Sequence, residues 1–113
     1  MATTADLRRI ALSFEGAEEY PHFDRSAFKT RRTFVTLAPD GLTANLMYSP
    51  DEQLLKCTLA PELFSPAPGG WGRMGITTVN LARVNLIELE AALRLAWEKA
   101  SAKLVRRKKA AVK

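Results

Sequence analysis

A short segment rich in proline and glycine carries the residues best suited to contact a ligand. It reads Ser-Pro-Ala-Pro-Gly-Gly-Trp-Gly-Arg-Met-Gly over residues 65–75. Proline restricts φ, and glycine permits positive φ and close backbone approach, so this composition predicts a loop of defined shape. Trp71 offers an indole for packing or base stacking, and Arg73 offers a guanidinium for phosphate or carboxylate groups. We therefore predict a recognition loop, in which Trp71 either closes the core or meets a ligand.

Basic residues form a second candidate site. Two segments, residues 26–30 and 33–37, are rich in β-branched and aromatic residues, with Arg31 and Arg32 between them. Such segments joined by a short link predict a β-hairpin with basic residues at its tip. A basic hairpin can follow a nucleic-acid backbone while an adjacent aromatic side chain stacks on a base; a solvated hairpin without a ligand is the alternative. The candidate nucleic-acid-binding residues are Lys29, Arg31, Arg32, Trp71 and Arg73.

The net charge of +5 is concentrated at one end of the chain. Residues 103–113 contain six of the 17 basic residues and no acidic one, which leaves 11 basic against 12 acidic residues elsewhere. Residues 106–113 are expected to form a basic tail, either solvated or acting as a nucleic-acid arm. The acidic run Glu15, Glu18 and Glu19 would oppose phosphate binding if it shared the hairpin's face.

The chain offers few groups for catalysis. It has one histidine, His22, and one cysteine, Cys57, far apart in sequence. Nucleophilic and acid–base chemistry need a reactive group with an orienting partner, so we expect no enzymatic activity and no cofactor. An enzyme would need a partner for His22, such as Asp24 or Glu18. Cys57 lies beside leucines in a predicted helix, where a buried thiol is expected, and a single cysteine excludes an internal disulfide.

The first and last predicted helices are indicated by the spacing of apolar residues. The first begins after a cap at Thr3 and ends before Gly16, and its apolar face is formed by Leu7, Ile10, Ala11 and Phe14. The last is capped by Asn85 and Glu88, and its apolar face is formed by Leu86, Leu89, Leu93, Ala96, Trp97, Ala100 and Leu104. Both helices are therefore expected to be amphipathic.

A middle helix is announced by its capping residues. Ser49 is the predicted N-cap, Pro50 takes the first helical position, and Glu52 completes a capping box. The apolar side of this helix is formed by Leu54, Leu55, Thr58 and Leu59. Residues 62–64 after Pro61 predict one further turn that leads into the loop.

The other segments predict an antiparallel sheet. The turn Pro-Asp-Gly at residues 39–41 precedes a third strand at 42–48, residues 76–81 form another, and residues 15–22 form a loop or an edge strand. Strands in which polar and apolar residues alternate leave one face of the sheet exposed to solvent. The expected fold is therefore α+β, a two-layer sandwich in which the N- and C-terminal helices pack on one face of an antiparallel sheet.

Length and composition indicate the general class of protein to which the chain belongs. A chain of 113 residues, 47% hydrophobic and 26% charged, predicts a single globular domain at residues 1–105. The first residues lack a signal-peptide pattern, and no apolar run approaches the roughly 20 residues of a membrane span. We therefore expect a cytoplasmic protein that does not enter the membrane, and the oligomeric state is left open.

Several short motifs in the chain are distinctive in combination. They are Pro-His-Phe-Asp-Arg at 21–25, Thr-Phe-Val-Thr-Leu at 33–37, Pro-Asp-Gly at 39–41, Ala-Asn-Leu at 44–46, Pro-Gly-Gly-Trp-Gly-Arg at 68–73 and Ala-Leu-x-x-Ala-Trp at 92–97. Together they resemble the motifs of the MmcQ/YjbR family of small bacterial proteins. The resemblance covers about residues 7–104 and is most specific at Gly-Gly-Trp-Gly. It implies a compact α+β fold similar to the frataxin/CyaY type, and DNA binding through a double-wing arrangement of strands and loops.

The same resemblance does not imply a metal site here. Frataxin-type relatives bind iron through an acidic first helix, whereas Asp6 in this chain is followed by Arg8 and Arg9. A shared fold alone does not transfer such a function. The residues close enough in sequence to gather a hard cation are Glu18, Glu19, His22 and Asp24. We predict no bound metal.

The functional expectation is therefore a non-catalytic, nucleic-acid-binding protein of the MmcQ/YjbR type. The alternative is a module that binds an anionic small molecule or a protein partner, with residues 66–75 forming one wall of the site. An electrostatic face that joins the basic hairpin to Arg73 without carboxylates would favour the first.

Overall fold

The computed structural model describes residues 1–102 and contains four helices and six strands in that range. The helices are α1 (Thr4–Ser13), α2 (Pro50–Leu59), α3 (Gly70–Arg73) and α4 (Leu86–Ala100). The strands are β1 (Glu18–His22), β2 (Arg25–Lys29), β3 (Thr33–Leu37), β4 (Thr43–Leu46), β5 (Phe64–Pro66) and β6 (Thr77–Asn80). The predicted boundary between residues 105 and 106, and the basic tail, lie outside the described residues.

One antiparallel sheet contains all six strands in the order β1-β2-β3-β4-β6-β5. The terminal helices α1 and α4 contact each other, and α4 lies against β3 and β4. Phe14, at the end of α1, meets Phe34 edge-on at 6.3 Å between ring centroids and stacks on Trp97 at 5.3 Å. The α+β two-layer fold predicted from the sequence is confirmed.

The helix starts follow the predicted capping chemistry. Thr3 and Ser49 each form a complete capping box, with Asp6 and Glu52 as the respective third residues. Asn85 caps α4 by accepting a hydrogen bond from the Glu88 nitrogen at 2.8 Å. Each cap satisfies backbone donors that have no partner inside the helix.

The sheet face opposite the terminal helices is polar. Strand register aligns one row across all six strands: Tyr20, Ala27, Thr36, Asn45, Thr78 and Ser65. The Thr78 hydroxyl donates to Asn45 Oδ1 at 2.8 Å, and Arg25 Nε donates to Thr36 Oγ1 at 3.0 Å. This row alternates with the apolar residues that face the helices, and two of its members, Ala27 and Thr36, are themselves buried.

The segment between α2 and β6 is more regular than the sequence predicts. The predicted further turn is present after α2, where the Phe64 nitrogen donates to the Ala60 oxygen at 3.0 Å. Residues 64–66 then form edge strand β5, and residues 70–73 form the single turn α3 inside the predicted loop. Pro66 is tolerated at the end of β5 because the strand lies at the sheet edge, where a missing backbone donor costs little. The polar residues 18–22 form the opposite edge strand, β1.

The apolar side of α2 faces solvent, although its sequence is that of an amphipathic helix. The exposed fractions of Leu54, Leu55 and Leu59 are 68%, 52% and 73%, and no residue of α2 is fully buried. The other side of the helix is held by Gln53, whose Nε2 donates to the main-chain oxygens of Gly72 and Ile76 at 2.8 and 3.0 Å. Polar contacts therefore hold α2 against α3.

Within residues 1–102, no helix combines the length and apolar character needed to cross a membrane.

Candidate functional site

The tip of the β2–β3 hairpin presents its two arginines to solvent. Arg31 and Arg32 are both exposed, and the Thr30 nitrogen donates to the Arg32 oxygen at 3.1 Å to close the turn. The strand register shifts between Phe28 and Lys29, which marks a β-bulge beside the tip. A bulge increases the local twist of the strands and changes the direction of nearby side chains, so it influences where the side chains of the tip point.

Lys29 belongs to the same surface and lies near an aromatic ring and a carboxylate. Its ammonium lies 5.1 Å from the ring centroid of Tyr20, in a cation–π arrangement. Its register partner on β1 is Glu18, which places a carboxylate beside it. Of the acidic run, Glu18 therefore shares this edge of the sheet with the basic hairpin, whereas Glu19 is paired with Arg8.

Arg32 is tied to the end of α4. One guanidinium nitrogen donates to the Lys99 main-chain oxygen at 3.0 Å, at the C-terminal end of the helix where a cation is favoured. The Lys99 ammonium donates to the Met47 oxygen at 3.5 Å. These groups border a surface cleft of about 90 Å³, which is well below the volume of typical ligand pockets.

The 66–75 segment exposes both predicted contact residues. The exposed fraction of Trp71 is 52%, so its indole is neither sealed in the core nor fully free. Arg73 is exposed and forms no ion pair within residues 1–102. Its guanidinium folds back toward Gly70, where an added Cβ would lie 3.3 Å from it. Of the two alternatives for Trp71, the geometry excludes an indole sealed in the core, and it leaves the Arg73 guanidinium exposed.

The segment is held from beneath by close backbone contacts. Gly72 is buried, and an added Cβ there would collide with the Ala67 oxygen. Gly75 has φ of +111° and lies against Tyr48 and Ser49, with the Pro50 nitrogen 2.8 Å from a built Cβ. Only glycine fits both positions, which explains the glycine-rich sequence.

The hairpin tip and the 66–75 segment lie at the same end of the sheet, which we call the basic end. Strand β3 begins there and antiparallel β4 ends there, so β6 begins and β5 ends at the same level. The tip lies between β2 and β3, and the segment joins β5 to β6, three strand spacings or about 14 Å away. The structure therefore brings the predicted residues to one end without placing them in one pocket.

Carboxylates are mixed with the cations at this end. Glu18 lies beside Lys29. Glu52 is occupied in the α2 cap, where its carboxylate accepts from the Ser49 nitrogen at 2.8 Å. Cations are therefore interspersed with acids within residues 1–102, and the segment 103–113 supplies the excess positive charge.

His22 lies away from the basic end, next to the turn between β1 and β2. Its ring meets those of Tyr20 and Phe23 at centroid distances of 6.1 and 4.7 Å. Glu19 is paired with Arg8, whose Nε lies 2.9 Å from Oε1. No group of three histidine, cysteine or acidic side chains within residues 1–102 is arranged to hold a metal ion.

Cys57 is less buried than the sequence predicts. It lies on the inner side of α2 and is half-buried, because that helix packs on the sheet edge and not within the core. Burial raises the pKa of the thiol above its ordinary value. Because the thiolate is the reactive form, the raised pKa disfavours nucleophilic chemistry at this residue.

Two clefts are described within residues 1–102. The cleft at the basic end is lined by residues of the hairpin and α4, and a second cleft of about 290 Å³ lies at the opposite end of the sheet. The second is bordered by Arg8, Asp24 and Ser26. Neither of these two clefts is lined by residues 66–75, so the predicted role of that segment as a pocket wall stays a prediction.

No family model matches the sequence, and no curated protein matches it. Its fold is similar to that in the crystal structure of the Deinococcus radiodurans protein DR2400, which contains the family-model domain DUF419. The TM-score is 0.74 at 21% sequence identity, over 96% of this chain and 88% of that one. DUF419 is related to the MmcQ/YjbR family that the sequence motifs resemble. The likeness supports the two-layer α+β fold.

Proposed function

We propose that this protein binds nucleic acid without catalysis, through its basic end. The observation that carries the proposal is the shared position of two basic features. The hairpin tip, with Arg31 and Arg32, lies at the same end of the sheet as Arg73. In the sequence, the strongly basic residues 103–113 follow the described residues.

Each residue has a separate role in this proposal. Arg31, Arg32 and Lys29 contact phosphate oxygens, because exposed cations at a convex tip can follow a backbone. Arg73 contacts a phosphate about three strand spacings away. Trp71 stacks on a base where the strand is open, since half of its indole is exposed. The resemblance to the MmcQ/YjbR family, described as DNA-binding, supports the same function.

The charge balance determines what kind of binding is expected. Residues 1–102 hold 11 basic and 12 acidic residues, so sequence-independent affinity must come mainly from the segment 103–113. Phosphate neutralisation releases counterions, and the logarithm of the binding constant falls with that of the salt concentration by about 0.9 per neutralised phosphate. We expect a steep salt dependence for the full chain and a shallow one for residues 1–102.

The test is a salt titration of binding to random duplex and single-stranded DNA. The proteins are the full chain, residues 1–102, Arg31→Ser/Arg32→Ser, Trp71→Ala, Arg73→Ala and the control Arg83→Ala, which removes an exposed arginine between β6 and α4. Weaker binding for the tip and loop variants, with unchanged melting and an unaffected control, is expected. Lack of binding by the full chain at low salt would overturn the proposal. Full loss on truncation, with no effect of the tip or loop variants, would reduce it to a non-specific arm.

A further inference from the structure

The cleft at the end of the sheet away from the basic end lies outside the surface proposed for nucleic acid. Its volume of about 290 Å³ is at the lower limit of the range of about 300–1,000 Å³ that is typical of small-molecule sites. We call it the polar cleft; it is bordered by Thr4 and Arg8 of α1, by Asp24 and Ser26, and by residues 37–39 and 41. It therefore opens at the boundary between the helix layer and the sheet.

Small residues with hydroxyl groups border the polar cleft from both layers. Gly41 has φ of +75°, and a Cβ added there would lie 2.6 Å from Thr4 Oγ1. A side chain at position 41 would therefore press against the Thr4 hydroxyl at the border of the cleft. Ser26 adds a second hydroxyl from β2. These groups suit a ligand that forms hydrogen bonds.

Arg8 borders the polar cleft from α1 with part of its guanidinium unused. Its Nε and one terminal nitrogen donate to the two Glu19 carboxylate oxygens at 2.9 and 3.0 Å. A guanidinium has five N–H groups in a planar fork, so the groups on its other terminal nitrogen are left for a further acceptor. Because Glu19 already balances the charge of Arg8, these N–H groups suit a neutral acceptor such as a carbonyl oxygen.

Asp24 borders the same cleft from the turn between β1 and β2. It is exposed and forms no ion pair within residues 1–102. The preceding residue, Phe23, has φ of +59° and is 93% exposed. Positive φ is unfavourable for a residue with a side chain, and such strain is concentrated at functional sites. The turn therefore presents an unpaired carboxylate from a backbone conformation that local preferences disfavour.

We propose that the polar cleft binds a small organic cation, a primary amine that carries a neutral carbonyl group, as in an α-amino amide. The ammonium group pairs with Asp24, and the carbonyl oxygen accepts hydrogen bonds from Arg8. Leu37 and Pro39 form an apolar border for the rest of the ligand.

Charge balance favours this ligand over a zwitterion. Arg8 and Glu19 neutralise each other, so Asp24 leaves one uncompensated negative charge at the cleft. A ligand with a single positive charge neutralises it, whereas a zwitterion brings a second carboxylate. This inference goes beyond the proposed nucleic-acid binding and does not depend on it.

The test is a titration of the full chain with leucinamide, followed by amide chemical shifts in NMR spectra. Shifts are expected at residues that border the cleft, such as Ser26, Ala38 and Gly41. N-acetylleucinamide lacks the charge and leucine is the zwitterion, so each should bind about fivefold more weakly or worse. Absence of shifts at the cleft would overturn the proposal, and so would equal or stronger binding of either comparison compound.

Variants assign the binding to the polar cleft. Asp24→Asn removes the charge and keeps the shape, so it should weaken leucinamide binding about fivefold or more. Asp51→Asn makes the same change on α2, which does not border the cleft, and should leave binding unchanged. Ser26→Leu fills the cleft and should abolish the shifts, and melting curves check that each variant is folded. Leucinamide binding that Asp24→Asn leaves intact would also overturn the proposal. DNA binding is measured separately, so neither result decides the other.

Discussion

The Tyr48 hydroxyl donates a buried hydrogen bond to the main-chain oxygen of Ala92 over 2.9 Å. Tyr48 lies two residues beyond β4, and Ala92 lies in the middle of α4, so this bond joins the sheet to the C-terminal helix across the core. Only 1% of Tyr48 is exposed. A polar group so deeply buried is stable only when it is paired.

Replacing Tyr48 with phenylalanine should lower the free energy of unfolding by about 1 kcal/mol, the usual net value of a buried hydrogen bond. Urea denaturation at neutral pH measures the change. Tyr20→Phe is the control, because that hydroxyl bonds Thr33 on the half-exposed face of the sheet and should matter less. Equal losses in the two variants would contradict this assignment.

Tyr48 should also make the stability of the fold depend on pH in the alkaline range. Burial, and then the charges of Glu52 and Cys57, raise the pKa of the Tyr48 phenol above its ordinary value. The unfolded chain ionises near pH 10 while the folded one does not, so this contribution is present below about pH 10 and is lost above it. The stability advantage of the native chain over Tyr48→Phe should therefore shrink as pH rises from about 9 to about 11. A pH-independent difference in urea midpoints would refute this.

Two glycines in the 66–75 segment should respond differently to alanine. Gly75 has φ of +111° and no room for a Cβ, so Gly75→Ala should destabilise the fold by about 3 kcal/mol or more. Gly69 has φ of +69° and ψ of −150°, a backbone region almost restricted to glycine, but no atom lies within 4 Å of a built Cβ. Gly69→Ala should therefore cost about 2 kcal/mol from backbone strain alone, less than the change at Gly75. Thermal melting distinguishes the two, and a larger loss at Gly69 would exclude this account.

The ion pair between Arg8 and Glu19 should stabilise the fold at neutral pH and lose this effect in acid. A hydrogen bond from the Arg8 guanidinium lowers the pKa of Glu19 below its ordinary value, against the opposing effect of burial. The stabilisation is present above the unfolded pKa near 4.3 and is lost as pH falls below it. Glu19→Gln should cost up to about 1 kcal/mol at neutral pH and nothing in acid. Glu90→Gln, which disrupts a more exposed pair, is the control and should change less.

Substitutions of the two arginines at the hairpin tip should have different effects on the stability of the fold and similar effects on DNA binding. Arg31→Ala should leave melting unchanged, because that side chain has no hydrogen bond within residues 1–102. Arg32→Ala should lower the free energy of unfolding by about 0.5 kcal/mol, because it loses the bond to the Lys99 oxygen. Each should reduce the salt slope of DNA binding by about 1 if each arginine neutralises a phosphate. An unchanged slope for Arg31→Ala would remove that residue from the interface.

Much of the fold follows from local signals in the sequence. Caps at Thr3, Ser49 and Asn85 and the turn at residues 39–41 act within a few residues, so their chemistry predicts where helices start and strands reverse. The β-branched and aromatic residues at 33–37 favour a strand. Alternation in residues 42–48 favours another, because burial of one face imposes a period of two. The terminal helices and the central strands were predictable for these reasons.

The short elements were not predictable. Strand β5 has three residues and helix α3 has four, too few to show a period, and both are stabilised by neighbours distant in sequence. Backbone hydrogen bonds from β6 define β5, and the Gln53 side chain supports α3 from another helix. Tertiary contacts outweigh local preference in segments this short.

The sequence by itself determined which residues were available for contact: the cations of residues 29–32, Trp71 and Arg73, and the basic segment 103–113. Only the tertiary structure decided that the first two groups share one end of a sheet, that Glu18 lies beside Lys29, and that the leucines of α2 face outward. The physical reason is that amphipathicity specifies that a helix has an apolar side but not what lies opposite it. Strand order and helix packing determine that neighbour, and they depend on contacts across the whole chain.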